Sequence, residues 1–123
     1  MKYTKAGYPT EHSEQVMFAD FMRDYFKDVL WTASAGGMRT SIGSGCKMKA
    51  AGYVAGCPDV MVFEARSKYH GLMIEMKTAK GGTWSLEQKD WAVKARLRGY
   101  CYVVCAGCGE AKNIVREYLA GNL

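Results

Sequence analysis

The chain has 123 residues, of which 49% are hydrophobic and 24% charged, and its formal net charge is +5 with an isoelectric point near 9.0. A chain of this length is sufficient for one domain that folds without disulfide or structural-metal cross-links. Its mild positive charge is compatible with a polyanionic partner but does not require one. No apolar run approaches the ~20 residues of a membrane span, the N-terminus lacks an apolar signal core, and five cysteines are an odd number. We therefore expect a cytoplasmic protein without a disulfide framework.

The first clear element is a helix that follows an irregular arm, residues 1–10. From Glu11 to about Lys27 one stripe at helical spacing is formed by Phe18, Phe21, Met22, Tyr25 and then Val29. Projected back toward the N-terminus, the same stripe contains Glu11 and Glu14. Acids there interact favourably with the helix dipole, which explains their charge but not their position on the core side. Glu11 is nearer the centre of the stripe, so it is the first candidate for an acidic ligand and Glu14 is the alternative.

A first strand and a basic connection come next. Residues 29–33 are apolar and β-prone, and segment 39–52 mixes glycines with cations, which predicts a loop followed by a short helix. Its cations Arg39, Lys47 and Lys49 have two interpretations of equal weight. They form either a solvated surface or contacts to a phosphate backbone that glycine allows to approach closely.

Two short apolar runs, residues 56–63 and 71–77, predict adjacent antiparallel strands that carry charge at one end. A tight turn between them sets Asp59 opposite or diagonal to Glu75, with side chains about 5–8 Å apart. Lys77 shares the face of Glu75 because strand side chains repeat every two residues. Two such carboxylates would repel unless a hard cation lay between them, and their oxygens suit Mg²⁺ or Mn²⁺. The hairpin thus predicts a divalent-metal site, with Lys77 placed to hold a polarised water or stabilise phosphate charge.

The rest of the chain predicts a helix, a strand and a last helix. A basic turn containing Lys80 leads into Ser85-Leu86-Glu87-Gln88, a capping-box pattern. Gln88 also begins the buried stripe of this helix, which continues through Trp91, Ala92 and Ala95, so its amide either caps the helix or reaches the acidic cluster. Residues 100–105 predict a fourth strand and residues 110–119 a final helix. This order is typical of a mixed α/β sandwich around one small sheet.

The chain resembles the PD-(D/E)XK nucleases and, within them, the virus-type replication-repair nuclease (VRR-NUC) family. The central signature is Pro58-Asp59 followed by Glu75-Met76-Lys77. The similarity covers nearly the whole chain through motifs that are weak singly but strong in their order and spacing: Glu11-His12 with Gln15, Gly36-Gly37-Met38-Arg39, Lys49-Ala50-Ala51-Gly52, Gly56-Cys57-Pro58-Asp59, Gly71-Leu72-Met73-Ile74-Glu75-Met76-Lys77, Ser85 with Gln88, and Gly99-Tyr100. The resemblance implies a restriction-endonuclease-like mixed sheet core (α-β-β-β-α-β) flanked by helices, in one nuclease domain over residues 11–123.

The resemblance implies a deoxyribonuclease that depends on Mg²⁺ or Mn²⁺. The family's catalytic positions map onto Glu11 (or Glu14), Asp59, Glu75, Lys77 and Gln88. Its metal ligands map onto Asp59, Glu75, the backbone carbonyl of Met76, and Glu11. Lys77 maps onto the residue that positions or activates the attacking water.

The expected partners also follow from the resemblance. Short stand-alone members look like phage or prophage enzymes of bacterial hosts, and they resemble archaeal Holliday-junction resolvases. This implies a homodimer that cuts branched DNA, without a membrane or a small-molecule cofactor. The candidate DNA contacts are Arg39, Lys47, Lys49 and Lys80.

Two other hypotheses remain. Cys105 and Cys108 form a C-x-x-C at a strand-to-helix junction, which is typical of a redox pair or, with Cys101 and a further cysteine, of a zinc site. Free cysteines also commonly serve as small buried apolar residues. The second hypothesis is a DNA-binding domain that has kept the fold but lost catalysis, although every expected catalytic residue type is present.

Overall fold

The computed structural model describes residues 2–3, 5, 7, 9–34, 42–78 and 82–123. The elements in chain order are α1 (Glu11–Tyr25), β1 (Trp31–Ala33), α2 (Ile42–Ala50), β2 (Val60–Val62), β3 (Leu72–Lys77), α3 (Leu86–Leu97), β4 (Cys101–Ala106) and α4 (Gly107–Leu119). This order confirms the predicted mixed α/β fold, although α4 begins three residues earlier than predicted. None of the helices in these described ranges is long and apolar enough to cross a membrane.

The strands form one four-stranded sheet in the order β1-β2-β3-β4. The first three strands are antiparallel to one another, whereas β3 and β4 are parallel, with Leu72 opposite Cys101 and Lys77 opposite Ala106. Parallel neighbours require a crossover, and α3 supplies it. The site-bearing strand β3 therefore lies inside the sheet, between β2 and β4.

The two faces of β3 have different neighbours because its side chains alternate. Leu72, Ile74 and Met76 pack into a core shared with α1 and α4, where Phe18 and Met22 are fully buried. The opposite face packs against α3 through a smaller cluster of Ala92, Ala95 and Tyr102, with Met73 beside it. Helices thus cover both faces, which explains why β3 reads as a continuous apolar run interrupted only by charge.

Helix α1 follows the predicted stripe except at its end. Phe18, Phe21 and Met22 are buried, but Tyr25 is 75% exposed, so its predicted place in the core is wrong. The helix ends at Tyr25, and Phe26 packs against the core instead. Tyr25 keeps its helical spacing, but the chain turns directly after it, and the side chain that packs against the core at the end of the helix is that of Phe26.

The described part of the N-terminal arm contacts the first turn of α1. The Thr10 side chain caps the helix by accepting the N–H of Ser13, at 3.1 Å. The backbone of Lys2 bonds to both residues: its N–H donates to Ser13 Oγ at 3.0 Å, and its carbonyl accepts the Thr10 N–H at 3.1 Å. These contacts fix the start of α1, where Glu11 projects.

Candidate active site

Asp59 lies at the entry to β2, opposite Glu75 on β3. Because Val60 pairs with Ile74 in an antiparallel register, the preceding residue Asp59 faces Glu75, which confirms the arrangement predicted from the hairpin. Asp59 Oδ2 accepts the backbone N–H of Met76 at 2.6 Å, and the Asp59 carbonyl accepts the N–H of Ser34 at 2.8 Å. The Asp59 carboxylate is thereby held against the C-terminal end of β3.

Gln88 joins the acidic and basic groups of the site. Its Nε2 donates to Glu75 Oε1 at 2.6 Å, and its Oε1 accepts Lys77 Nζ at 2.9 Å. Lys77 Nζ also lies 3.7 Å from Glu75 Oε1. Oε1 of Gln88 also accepts the N–H of Ser85, which completes a capping box at the start of α3. The amide therefore makes both of the contacts that the sequence left as alternatives.

The two opposed carboxylates have perturbed proton affinities. Burial, followed by the charge of Asp59, raises the pKa of Glu75 to about 8. Burial also raises the pKa of Asp59, although the hydrogen bond from Met76 opposes that shift. Oε2 of Glu75 is buried and receives no hydrogen bond from an N–H or hydroxyl donor of the described residues, while a hydrogen bond shared with the Asp59 carboxyl adds to the rise of the Glu75 pKa. Without a cation, a carboxyl with a pKa of about 8 keeps its proton at neutral pH, so the pair then carries about one negative charge and could carry two only if a cation displaced that proton.

The donor set fits a hard divalent cation. Asp59 and Glu75 offer carboxylate oxygens, including the unpartnered Oε2, and the carbonyl of Met76 is the backbone oxygen between Glu75 and Lys77. Oxygen-only sets of this kind suit Mg²⁺ or Mn²⁺. Within the described ranges, no group of three or more His, Cys, Asp or Glu side chains could hold a metal. Two carboxylates with solvent in the remaining positions is an arrangement typical of Mg²⁺.

The two acids of α1 point to different places. Partial burial and the charge of Asp59 raise the pKa of Glu11, and the charge of Lys77 lowers it, so Glu11 lies within electrostatic reach of the site. Glu14 is buried, and its Oε2 accepts the backbone N–H of Cys108 at the start of α4. Glu14 therefore neutralises a helix N-terminus in the core, which leaves Glu11 as the acid on the site side.

The four predicted DNA contacts are only partly described. Lys47 and Lys49 are exposed in the last turn of α2, available to a polyanion. Arg39 and Lys80 lie outside the described residues.

The cysteines of the C-x-x-C pair lie in the core. Cys105 is fully buried and Cys108 is 4% exposed, and both pack with Cys101 in the cluster between the sheet and α1 and α4. Burial raises the pKa of Cys105 to about 12, so its thiol is protonated at neutral pH. A buried neutral thiol is a poor nucleophile and a poor metal ligand, so this environment favours an apolar packing role.

Two tyrosines near the site were missed by the sequence analysis. Burial and the negative charges around Glu75 and Asp59 raise the pKa of both Tyr53 and Tyr102. Tyr53 lies in the connection between α2 and β2, and Tyr102 lies on β4 on the same sheet face as Glu75. Only the β3–β4 register reveals the position of Tyr102, and a sequence does not contain that register.

No protein-family model matches the sequence, and the search of curated proteins found no significant match. Among solved structures, the chain is similar to one described as a VRR_NUC domain protein. The two share 28% sequence identity with a TM-score of 0.78, over 92% of this chain and 90% of that chain. The resemblance predicted from the motifs is therefore confirmed: the chain has the fold of a VRR-NUC nuclease domain, which is consistent with membership of the PD-(D/E)XK superfamily.

Proposed function

We propose that the protein is a metal-dependent deoxyribonuclease that hydrolyses phosphodiester bonds. Its similarity to a VRR_NUC domain protein suggests a nuclease. The observation that carries the proposal is the cluster in which Asp59 faces Glu75 and Gln88 links Glu75 to Lys77. Burying two opposed acids costs stability that a structural role does not repay, whereas a cation and a phosphate substrate account for the charge.

Asp59, Glu75 and the Met76 carbonyl are the proposed ligands of Mg²⁺ or Mn²⁺, and Glu11, which lies within electrostatic reach of Asp59, is proposed as a further acid of the site that would have to move closer to bind the cation directly. When bound, the cation supplies Lewis-acid activation of water and stabilises negative charge on the phosphate. Gln88 keeps the Glu75 carboxylate in one orientation by donating to Oε1, which leaves Oε2 for other partners. The protein thus prepares its oxygen donors before any substrate arrives.

Lys77 is the proposed catalytic cation. Its side chain is only 13% exposed, and one of its three N–H groups is held by Gln88 Oε1. Among the described residues no other hydrogen bond of Nζ is seen, so its remaining N–H groups can donate to an attacking water and to a non-bridging phosphate oxygen. Fixed donors in a partly buried site stabilise the charge that develops on the phosphate at little reorganisation cost.

The proposed substrate is branched DNA such as a four-way junction, and the proposed assembly is a homodimer. Both follow from the resemblance to resolvases, and the exposed cations Lys47 and Lys49, with Arg39 and Lys80, are the proposed contacts to phosphates. Symmetric cutting of a junction requires two sites related by a twofold axis. Light scattering should therefore report a dimer at micromolar concentration, and a monomer would contradict paired incision.

A cleavage panel tests the nuclease proposal. Wild-type protein, Asp59→Ala and Lys77→Ala are each incubated with labelled four-way junction, flap, nicked and linear duplex DNA, with Mg²⁺, Mn²⁺ or chelator. We expect wild-type protein to cut only with metal and each variant to lose at least about 100-fold in rate. Equal cutting by all three proteins would reveal a contaminant and overturn the assignment. Activity that survives chelator but is lost on thiol alkylation would instead favour the cysteine hypothesis.

A further inference from the structure

Two buried polar atoms beside the site lack hydrogen-bond partners among the described residues. They are Oε2 of Glu75 and the hydroxyl of Tyr102, and each residue is 3% exposed. Buried polar groups in native proteins are almost always paired with protein atoms or ordered water. Glu75 can share a proton with the facing Asp59 carboxyl, but the Tyr102 hydroxyl still needs an acceptor, and Oε2 of Glu75 can provide it.

The sheet register places Tyr102 close to Glu75. Tyr102 pairs with Met73, whereas Glu75 pairs with Val104, so the two side chains share one face, two positions apart on neighbouring strands. Strand spacing and rise put their Cα atoms about 8 Å apart, a separation that a phenol and a carboxylate can span with one water between them. Glu75 is also the charged group with the largest effect on the pKa of Tyr102, ahead of Asp59.

A cation satisfies only half of this arrangement. It would occupy a lone pair of Glu75 Oε2, but it accepts no proton and so leaves the Tyr102 hydroxyl without an acceptor. A carboxylate oxygen has two lone-pair positions, which allows Oε2 to face a cation with one and a hydrogen-bond donor with the other. The phenol proton and the second lone pair of Oε2 are therefore complementary.

The ring of Tyr102 is held in place by its neighbours. Its centroid lies 6.3 Å from that of Trp84, and the guanidinium of Arg96 lies 5.8 Å from the Tyr102 ring centroid. Arg96 also donates to the Tyr102 carbonyl at 2.9 Å. A ring held by such contacts presents its hydroxyl in one direction, as a residue that orients a ligand must.

We propose that Tyr102 is a positioning residue for the Glu75 carboxylate: its hydroxyl donates, through one buried water, to Oε2 and holds that oxygen toward the cation. The inference rests on the proposed metal site for its function. The hydrogen-bonded link itself belongs to the metal-free protein, so it can be tested separately.

The test compares wild-type protein with Tyr102→Phe, which removes only the hydroxyl, and with Tyr100→Phe as a matched control. Tyr100 is half-buried, lies two residues earlier and packs beside the same cluster. Titration calorimetry with MnCl₂ in the absence of DNA should show affinity about tenfold weaker for Tyr102→Phe and unchanged for Tyr100→Phe. Thermal unfolding in chelator should show a lower Tm for Tyr102→Phe than for wild-type protein.

The outcomes separate the inference from the proposed function. Equal Mn²⁺ affinity of Tyr102→Phe and wild-type protein would overturn the positioning role. A Tm in chelator that is equal to or above that of wild-type protein would overturn the link, because deleting an unpaired buried hydroxyl does not destabilise a protein. Wild-type protein that binds no Mn²⁺ would overturn the metal site, and the Tm comparison would then still decide whether the link exists.

Discussion

Asp59 and Glu75 face each other across the β2–β3 hairpin, and burial with mutual repulsion holds the pKa of Glu75 at about 8. Gln88 and Lys77 bond to one end of this pair without neutralising both charges. Two carboxylates held this close favour the binding of a divalent cation, and their repulsion must destabilise the protein when no cation is bound. The pH dependence of the stability of metal-free protein therefore tests the repulsion between Asp59 and Glu75.

Metal-free protein should lose stability as the pH rises. A carboxyl whose folded pKa is raised contributes stability that is complete below its ordinary pKa, near 4.5, and is lost as the pH rises through about 8. We therefore expect the Tm in chelator to fall between about pH 5 and about pH 9.

Asp59→Asn is the matched variant for this prediction. Asparagine retains an oxygen for the Met76 N–H but removes the charge, so the fall in Tm should be smaller and stability at about pH 8 higher by about 1 kcal/mol. A variant curve parallel to that of wild-type protein would contradict a repulsive pair.

At the level of elements, the site depends on how the first turn of α3 packs against the segment that leads through Asp59 into β2. Gly56 has a φ of +91°, and a Cβ built there would lie 2.3 Å from the carbonyl oxygen of Glu87. Backbone atoms cannot yield to such a contact. Glycine at this position thus allows α3 to approach closely enough for Gln88 to reach Glu75.

Gly56→Ala should displace the start of α3. Gly52→Ala is the matched control, because Gly52 has a φ of +112° but nothing within 4 Å of its built Cβ. The control should cost about 1–2 kcal/mol from left-handed strain alone. Gly56→Ala should cost clearly more in urea unfolding and reduce metal-dependent cleavage. Equal losses in the two variants would show that the close approach is unimportant.

The two roles of Gln88 can be separated by comparing it with its capping partner. Ser85→Ala removes the side chain that accepts the Gln88 N–H, which should cost about 1 kcal/mol of stability and leave cleavage nearly unchanged. Gln88→Ala also releases Glu75 and Lys77, so cleavage should fall about tenfold or more. If the two variants lost activity equally, Gln88 would be a cap and nothing else.

At the level of the whole molecule, the net charge of +5 should make DNA affinity depend on salt. Lys47 and Lys49 are exposed together at the end of α2. If these two lysines contact phosphates, replacing them should weaken DNA binding. A general positive field would instead respond equally to the loss of any exposed cation.

Replacing Lys47 and Lys49 together by alanine should weaken binding to junction DNA and reduce the log–log salt slope by about 0.9 for each lost phosphate contact. Fluorescence anisotropy in chelator, across a salt series, measures this without cleavage. Lys27→Ala is the control, because Lys27 is exposed just beyond the C-terminal end of α1, away from Glu11. An equal change in the control would indicate a non-specific charge effect.

The amino-acid sequence by itself determined the elements, the hairpin and the pairing of Asp59 with Glu75. These depend on local physics: period-two alternation, a chain reversal at Ser67 that brings the two strands together, and a capping box at Ser85. The motifs added the VRR-NUC resemblance because they occur in the right order along one chain. Where a pattern was interrupted, as at Tyr25 at the end of α1, the prediction was wrong.

Only the tertiary structure shows where the two acids of α1 lie, because that depends on how α1 packs against α4. Glu14 meets the backbone of Cys108, 94 residues away in the chain, whereas Glu11 lies within electrostatic reach of Asp59 and Lys77. The burial of Cys105 and the position of Tyr102 beside Glu75 likewise depend on packing between distant segments. Local periodicity determines which side of an element is buried, whereas the partner that each buried group meets is determined by long-range packing that a single sequence does not display.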